Sequence, residues 1–369
     1  MVLITCENLK KSYTEKPLID GLSITINDTD KIGLVGVNGT GKSTLLKIIA
    51  GVVEHEAGNI IRSRELKTAY LPQEPEYDGD LTVMEQAMEY LRQSGSDAEE
   101  HRCRAMLNKL GFDSYEQKMS ELSGGQRKRV AMAAVLTQES NLLILDEPTN
   151  HMDSDIIEWL EDFLKSYRGA LFMITHDRYF LDRVTNRIVE IEGGKLYSYD
   201  GNYDYYLEAK AAREDMMYAA ERKRLAIYKK ELAWIRRGAR ARTTKAKGRI
   251  QRFEELEAAK LVVDDSALEI NTVTSRLGRK IIELDSVSKA YGEKQLIKDF
   301  SYMILRNDRI GIIGPNGCGK STLLKMIIGE IEADAGTIEK GDTVKIGYFS
   351  QENEHMDKSR RVIEYVCDI

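Results

Sequence analysis

The stretch Gly36-Val-Asn-Gly-Thr-Gly-Lys-Ser-Thr44 decides the fold, and it returns 278 residues later as Gly314-Pro-Asn-Gly-Cys-Gly-Lys-Ser-Thr322. The pattern G-x-x-x-x-G-K-[ST] is a phosphate-binding loop. Its glycines let the backbone curl so that successive N–H groups point inward, and the helix that follows turns its positive dipole end to the same place. In the first copy the binding groups are Gly36, Asn38, Gly39, Gly41, Lys42, Ser43 and Thr44, with Lys42 a point charge for β- and γ-phosphates and Ser43 a hydroxyl for Mg²⁺. In the second copy they are Gly314, Asn316, Gly317, Gly319, Lys320, Ser321 and Thr322. The phosphates of a nucleotide and Mg²⁺ are the expected ligands.

The repeat extends beyond the loop. From 31 to 51, 14 of 21 residues match their partners without a gap, Tyr13 matches Tyr291, and Gln73 matches Gln351. The chain therefore holds two copies of one domain. Lys31 to Val37 alternates apolar and small residues, enters the glycine-rich turn and is followed by Ser43-Thr-Leu-Leu-Lys-Ile-Ile, which predicts a buried strand, a loop and a helix. Leu142 to Leu145 and Ala170 to Ile174 read as further buried strands with helices between them. That alternation predicts a parallel sheet in an α/β domain of the P-loop NTPase class. The first copy is assigned to 1–205, a linker to 206–275, and the N-terminal part of the second copy to 276–369. At the same offset the counterparts of Ser123 and Glu147 would be residues 401 and 425, past Ile369, so the second copy is expected to be incomplete and the chain a piece of a longer protein.

Two more motifs carry chemistry. Leu142-Leu-Ile-Leu-Asp-Glu147 is an apolar strand ending in two carboxylates, Asp146 placed to hold Mg²⁺ and Glu147 to polarise an attacking water. Leu122-Ser-Gly-Gly-Gln126 offers the Ser123 hydroxyl and the N–H groups of Gly124 and Gly125 at a helix start, closed by Gln126: a second anion-binding device.

In this order the motifs resemble the ATP-binding cassette superfamily, whose signature is Leu-Ser-Gly-Gly-Gln. The resemblance implies that Tyr13 and Tyr291 stack on adenine, that Gln73 and Gln351 sense Mg²⁺ and water, and that His176 contacts the γ-phosphate. Glu147, His176 and Gln73 then form the catalytic set, and Ser43, Gln73, Asp146, Ser321 and Gln351 the metal set. It also implies that two cassettes face each other, each ATP lying between the phosphate loop of one and the signature of the other. Neither such composite site can be completed within this chain, so a second cassette is needed in cis or in trans, and the chain alone is expected to bind ATP but turn it over poorly. Glu147-Pro-Thr-Asn-His-Met-Asp153 is closer to one branch, the ABC-F proteins, which are soluble tandem ATPases acting on the ribosome. Their version usually has Leu where Met152 stands, an exchange that conserves volume.

Of the 369 residues, 42% are hydrophobic and 31% charged, which describes a soluble globular chain. The longest apolar run, Val130 to Leu136, falls far short of the roughly 18 residues that span a bilayer, and no secretory signal is recognisable at the start. The four cysteines show no close pairing, so reduced thiols, a cytoplasmic location and no membrane insertion are expected. The net charge of −6 hides a strong asymmetry: Lys210 to Arg252 holds 15 Lys or Arg against four acids, leaving −17 for the rest. Arg236, Arg237, Arg240, Arg242, Lys245, Lys247, Arg249 and Arg252 lie in one run without a single acid. Leu225, Tyr228, Leu232 and Ile235, then Ile250, Phe253 and Leu256, recur at helical spacing, which predicts a helical hairpin with a basic tip. Such a tip suits salt-sensitive binding to nucleic-acid phosphates. Its placement resembles the ABC-F linker, and Arg236-Arg-Gly-Ala-Arg-Ala-Arg-Thr-Thr-Lys245 the Uup-like subgroup, which implies the ribosome, through rRNA and tRNA, as partner. DNA stays open as an alternative, because phosphate contacts do not distinguish the two. So does the ATP-binding subunit of a transporter, which shares the ATP chemistry but needs no basic linker.

Overall fold

The computed structural model describes residues 1–13, 17–95, 99–150, 152–236, 280–292, 294–314, 317–341 and 344–349. They fall into two units, Met1–Asp265 and Ser266–Ile369.

In the first unit, strands β1 (Val2–Ser12) and β2 (Pro17–Asn27) run antiparallel, and β4 (Ala57–Arg62) pairs with the other edge of β1. A second sheet holds β3 (Lys31–Gly36), β5 (Thr68–Leu71), β6 (Leu142–Asp146), β7 (Ala170–Ile174), β8 (Arg187–Glu192) and β9 (Lys195–Asp200) in the order β5-β6-β7-β3-β8-β9. Every pair in it is parallel except β8 with β9. This is the expected α/β architecture, and it carries β3, β6 and β7 to the centre so that their C-terminal ends meet.

Both faces of β6 and β7 are covered, as parallel strands require. Leu142, Ile144, Ala170 and Phe172 pack on one side with helix α1 (Lys42–Ala50) and the antiparallel sheet. Leu143, Leu145, Leu171 and Met173 pack on the other side with residues of α2 (Val83–Gln93), α3 (Glu100–Lys109), α4 (Gly124–Thr137), α5 (Ser154–Ser166) and α6 (Arg178–Val184). Helix α1 buries Leu45, Leu46, Ile48 and Ile49, each worth on the order of 2 kcal/mol. The apolar run Val130–Leu136 is wholly buried in α4, whose C-terminal half is apolar all round because it is enclosed. No helix among the described residues is long and apolar enough to cross a membrane.

The second unit repeats the first down to its backbone angles. Strands β10 (Lys280–Tyr291), β11 (Lys294–Leu305) and β12 (Ala335–Lys340) pair as β1, β2 and β4 do, and α8 (Lys320–Ile328) stands where α1 stands. Asn8 and Ser286 share a left-handed φ of 50° and 51°, and Gly58 and Gly336 have φ 101° and 88°. At the two last positions a Cβ would lie within 2.6 Å and 2.4 Å of backbone oxygens of the neighbouring strand, so only glycine fits.

One element differs from the sequence expectation. The residues equivalent to β3, Arg309–Gly314, form no strand, and Ile310, Ile312 and Ile313 are exposed. In the first unit β3 is held by β7 and β8 on either side. Among the described residues no strand lies paired with Arg309–Gly314, and a buried parallel strand needs neighbours to take its hydrogen bonds. The phosphate-loop helix forms nonetheless.

Helix α7 (Tyr203–Arg236) belongs to the first unit and carries Leu225, Tyr228, Leu232 and Ile235. The remainder of the predicted hairpin, including Ile250, Phe253 and Leu256, lies outside the described residues, as do Arg237, Arg240, Arg242, Lys245, Lys247, Arg249 and Arg252; Arg236 is the last residue of α7.

Candidate active site

A cleft of about 360 Å³ opens at the C-terminal ends of β3, β6 and β7, lined by Leu18, Asn38, Gly39, Gly41, Lys42, Ser43, Thr44, Gln73, Asp146, Glu147, Ile174 and His176. Ten of these twelve were singled out from the sequence, although they come from segments up to 138 residues apart. They meet because adjacent parallel strands deliver the loops after them to one edge of the sheet.

The phosphate loop owes its curl to glycines at φ 82° (Gly39) and 96° (Gly41), where a side chain would be strained. Gly41 is packed so closely that a Cβ would sit 2.9 Å from the Leu18 side chain. Lys42 begins α1 and is buried, and its Nζ donates to the carbonyl oxygens of Gly36 (2.7 Å) and Val37 (3.1 Å) and to Asn38 Oδ1 (3.4 Å). Burial lowers its pKa, against the opposing pull of Glu147 and Asp146.

Across the cleft Asp146 is fully buried. Its Oδ1 accepts a long hydrogen bond from Ser43 Oγ, at 3.5 Å, while Oδ2 has no partner. An orphaned anionic oxygen costs free energy unless a cation meets it, so a Mg²⁺ beside Ser43 and Asp146 fits the donors present. Among the described residues no group of three or more His, Cys, Asp or Glu could hold a metal alone; Mg²⁺ here would complete its shell with nucleotide oxygens and water.

Glu147 has a left-handed φ of 53°, uncommon for a residue with a Cβ and found where function holds a strained backbone. Its N–H donates to Ile174 O (2.9 Å), and its carboxylate accepts the His176 N–H at Oε2 (3.3 Å) and faces His176 Nε2 across 3.4 Å at Oε1. Neighbouring hydroxyls of Thr149 and Thr175, 2.8 Å apart and buried, tie the two loops together. Burial raises the Glu147 carboxyl above its ordinary pKa, with His176 the main opposing influence; burial likewise raises Asp146, opposed by Ser43, Lys128, Lys47 and Lys42.

A stability test follows from that direction. A carboxyl whose folded pKa is raised gives its full stabilisation below the ordinary carboxylate range, and that stabilisation is lost as pH rises through the elevated value. Glu147→Gln, permanently neutral, should therefore melt at a higher temperature than the parent at about pH 8 without nucleotide, and the advantage should vanish near pH 4. An equal Tm at both pH values would contradict the raised pKa.

Other sequence candidates lie elsewhere. Tyr13 is 63% exposed and does not line the cleft; Lys11 Nζ sits 5.4 Å over its ring, as Lys289 Nζ sits 5.7 Å over the ring of Tyr291, which is also exposed. Ser123 caps α4 through a reciprocal pair: its N–H donates to Gln126 Oε1 (2.9 Å), and the Gln126 N–H donates to Ser123 Oγ (3.3 Å). Ser123, Gly124, Gly125 and Gln126 do not line the Lys42 cleft. In the second unit Gly319 caps α8, Lys320 Nζ donates to Gly314 O (2.6 Å), Ser321 is exposed, Gly317 and Thr322 flank the same turn, and Asn316 and Gln351 lie outside the described residues. Two groups were not anticipated. Leu18 floors the cleft, and Lys128, 4% exposed, donates from Nζ to Asp146 O (3.2 Å), binding the signature helix to the carboxylate strand. The run Arg127-Lys-Arg129 after the signature reads as solvated charge, and nothing in it marks Lys128 as buried.

A strand-ended phosphate loop facing an Asp-Glu pair, with a signature helix set apart from it, defines a P-loop ATP-binding cassette. The ABC transporter family profile matches residues 19–150 and 297–367, and a second profile of that description matches 189–270. The chain is 42% identical over 403 residues to an uncharacterized ABC transporter ATP-binding protein, YfmR, of Bacillus subtilis, covering 99% of this chain and 64% of that one. It is 36% identical over 405 residues to the energy-dependent translational throttle protein EttA of Mycobacterium tuberculosis, covering 99% and 72%. It is 36% identical over 411 residues to the ATP-binding protein Uup of Haemophilus influenzae, covering 100% and 63%. The chain thus spans a little under two thirds of YfmR and of Uup. A solved ATP-binding subunit of an ABC transporter matches in fold, with a TM-score of 0.51 at 22% identity over 56% of this chain and 98% of that one. The chain belongs to the ABC-F group of ATP-binding cassette proteins, and among them it is Uup-like.

Proposed function

We propose that the chain is the ATP-hydrolysing part of a ribosome-associated protein, in which ATP closes two cassettes on each other and the basic linker contacts tRNA or rRNA to regulate or rescue translation. The observation that carries the ATP chemistry is the convergence of Lys42, Ser43, Gln73, Asp146, Glu147 and His176 on one cleft. In this reading Lys42 leaves the loop carbonyls for the β- and γ-phosphates, and the loop N–H groups take the remaining phosphate charge. Ser43 and Asp146 would hold Mg²⁺, with Gln73 beside them, and the ion would neutralise phosphate charge. Glu147 accepts the proton of a water whose oxygen bonds to the γ-phosphorus, while the bond to the bridging oxygen breaks and its electron pair stays on ADP. Its left-handed backbone and its contacts with His176 fix the carboxylate, and burial favours its taking up the proton.

The signature lies away from this cleft, so the missing anion donors come from a second cassette, in cis or in trans. ATP turnover per chain should be low at high dilution and rise by about tenfold or more when a second complete cassette is supplied. Turnover independent of both concentration and added cassette would refute the composite site. The ribosome enters through the basic run and through a relative named a translational throttle protein. A cytoplasmic place belongs to the same proposal.

A further inference from the structure

One buried carboxylate has no part in the chemistry above. Glu190, on β8, is 2% exposed, beside the phosphate-loop strand, with Val35 as its parallel partner. Four donors converge on it. Tyr206 Oη donates to Oε1 (3.0 Å), Lys210 Nζ donates to the same oxygen, Arg213 Nη2 lies 3.1 Å from Oε2, and Tyr199 Oη donates to Oε2 (3.4 Å). Three of the four come from α7 at spacing i, i+4, i+7, a single helix face. Arg213 is fixed further, its guanidinium 3.8 Å from the centre of the Tyr197 ring and 2.6 Å from Glu192. Pairing with Glu190 raises the pKa of Lys210 despite burial, so the Lys210 ammonium is charged at neutral pH.

The other side of this cage is the phosphate loop. A cavity of about 290 Å³ is lined at one end by Gly36, Val37, Lys42 and His176 and at the other by Glu190, Tyr206 and Lys210. Gly36 abuts β8 so closely that a Cβ there would lie 2.6 Å from Ile191 O, the residue next to Glu190. The Gly36 and Val37 carbonyls are also the ones that hold Lys42. When Lys42 turns to phosphate the Gly36 carbonyl loses this donor, while the Val37 carbonyl keeps the Thr40 hydroxyl at 2.8 Å. The backbone that must readjust is in contact with β8 on one side and open cavity on the other.

We infer that Glu190 is a positioning residue that mounts the linker helix on the strand beside the phosphate loop, so that nucleotide at Lys42 changes how firmly the first three turns of α7 are held. This inference rests on the proposed ATP site and adds the route by which that site reaches the linker. Both sites bias one physical element, the docked start of α7, which is what coupling requires.

Hydrogen–deuterium exchange of residues 203–217 in the full chain, with and without Mg·ATP, tests it, together with ATP binding measured by a fluorescent analogue. In the parent, nucleotide should change exchange there by about threefold or more. In Glu190→Gln, which keeps the shape but loses the charge, exchange should be faster at baseline and the nucleotide response should disappear, while analogue affinity stays unchanged. Tyr206→Phe, which deletes one hydroxyl and keeps the ring, should give a partial loss and serves if Glu190→Gln does not fold. A purely structural role would raise baseline exchange and leave the nucleotide response intact, overturning the inference. ATP binding in the parent without any response at 203–217 would overturn it alone, whereas failure to bind ATP would overturn the reading of the cleft as well.

Discussion

Glu147→Gln lowers ATP turnover by about 10²- to 10⁴-fold in the chain assembled with a second complete cassette, and leaves ATP affinity unchanged. The size of the effect follows from position. Glu147 is 4% exposed, its backbone is held at φ 53°, and its carboxylate is fixed by the His176 N–H and ring. Glutamine preserves the shape and both contacts but cannot take the proton of water. The ground-state phosphate contacts come from Lys42, Ser43 and the loop amides, which the substitution does not touch, so kcat should fall and binding should not. Single-turnover hydrolysis beside equilibrium binding of a fluorescent ATP analogue separates the two. A matching loss of affinity would place Glu147 among the binding groups instead.

Replacing Arg240, Arg242, Lys245 and Lys247 together with Gln weakens binding to ribosomes by on the order of 10²-fold or more at physiological salt, and lowers the slope of log affinity against log salt by about three. These four belong to a run of eight cations without an acid. Removing phosphate contacts removes released counterions, so the slope reports contact number independently of overall affinity. Full affinity with an unchanged slope would show that the run is only a solvated surface.

The charge count that motivates this experiment is sharpened by the structure. Lys210 and Arg213 belong to the 15 cations of the 210–252 stretch, yet they are spent on Glu190 and Glu192, and Arg224 is paired with Glu221. The cations left for a partner therefore concentrate further along the linker. No local pattern shows this, because a carboxylate on β8 and a helix that begins eleven residues after β8 meet only after the sheet forms.

Much of the cleft was legible for the opposite reason. A phosphate loop is a local solution to a local problem: glycine φ values, a helix start and a lysine within nine residues. Its partners Asp146 and His176 could be placed because apolar strands announce where they end. Legibility fails where tertiary context decides. Lys128 looks like surface charge until the sheet buries it against Asp146, and Arg309–Gly314 has strand character but pairs with no strand among the described residues. Tyr13, which the family resemblance places on adenine, lies outside the cleft lining, next to residues 14–16 that the structure does not describe.

Co-sedimentation with ribosomes tests the central claim most directly, using the chain with its second cassette, carrying Glu147→Gln and the matching change in that cassette, at physiological salt and against excess duplex DNA. The account predicts that the protein pellets with ribosomes when ATP is present, stays in the supernatant without it, and is not displaced by DNA. Equal pelleting with and without ATP, or displacement by the duplex, would contradict it.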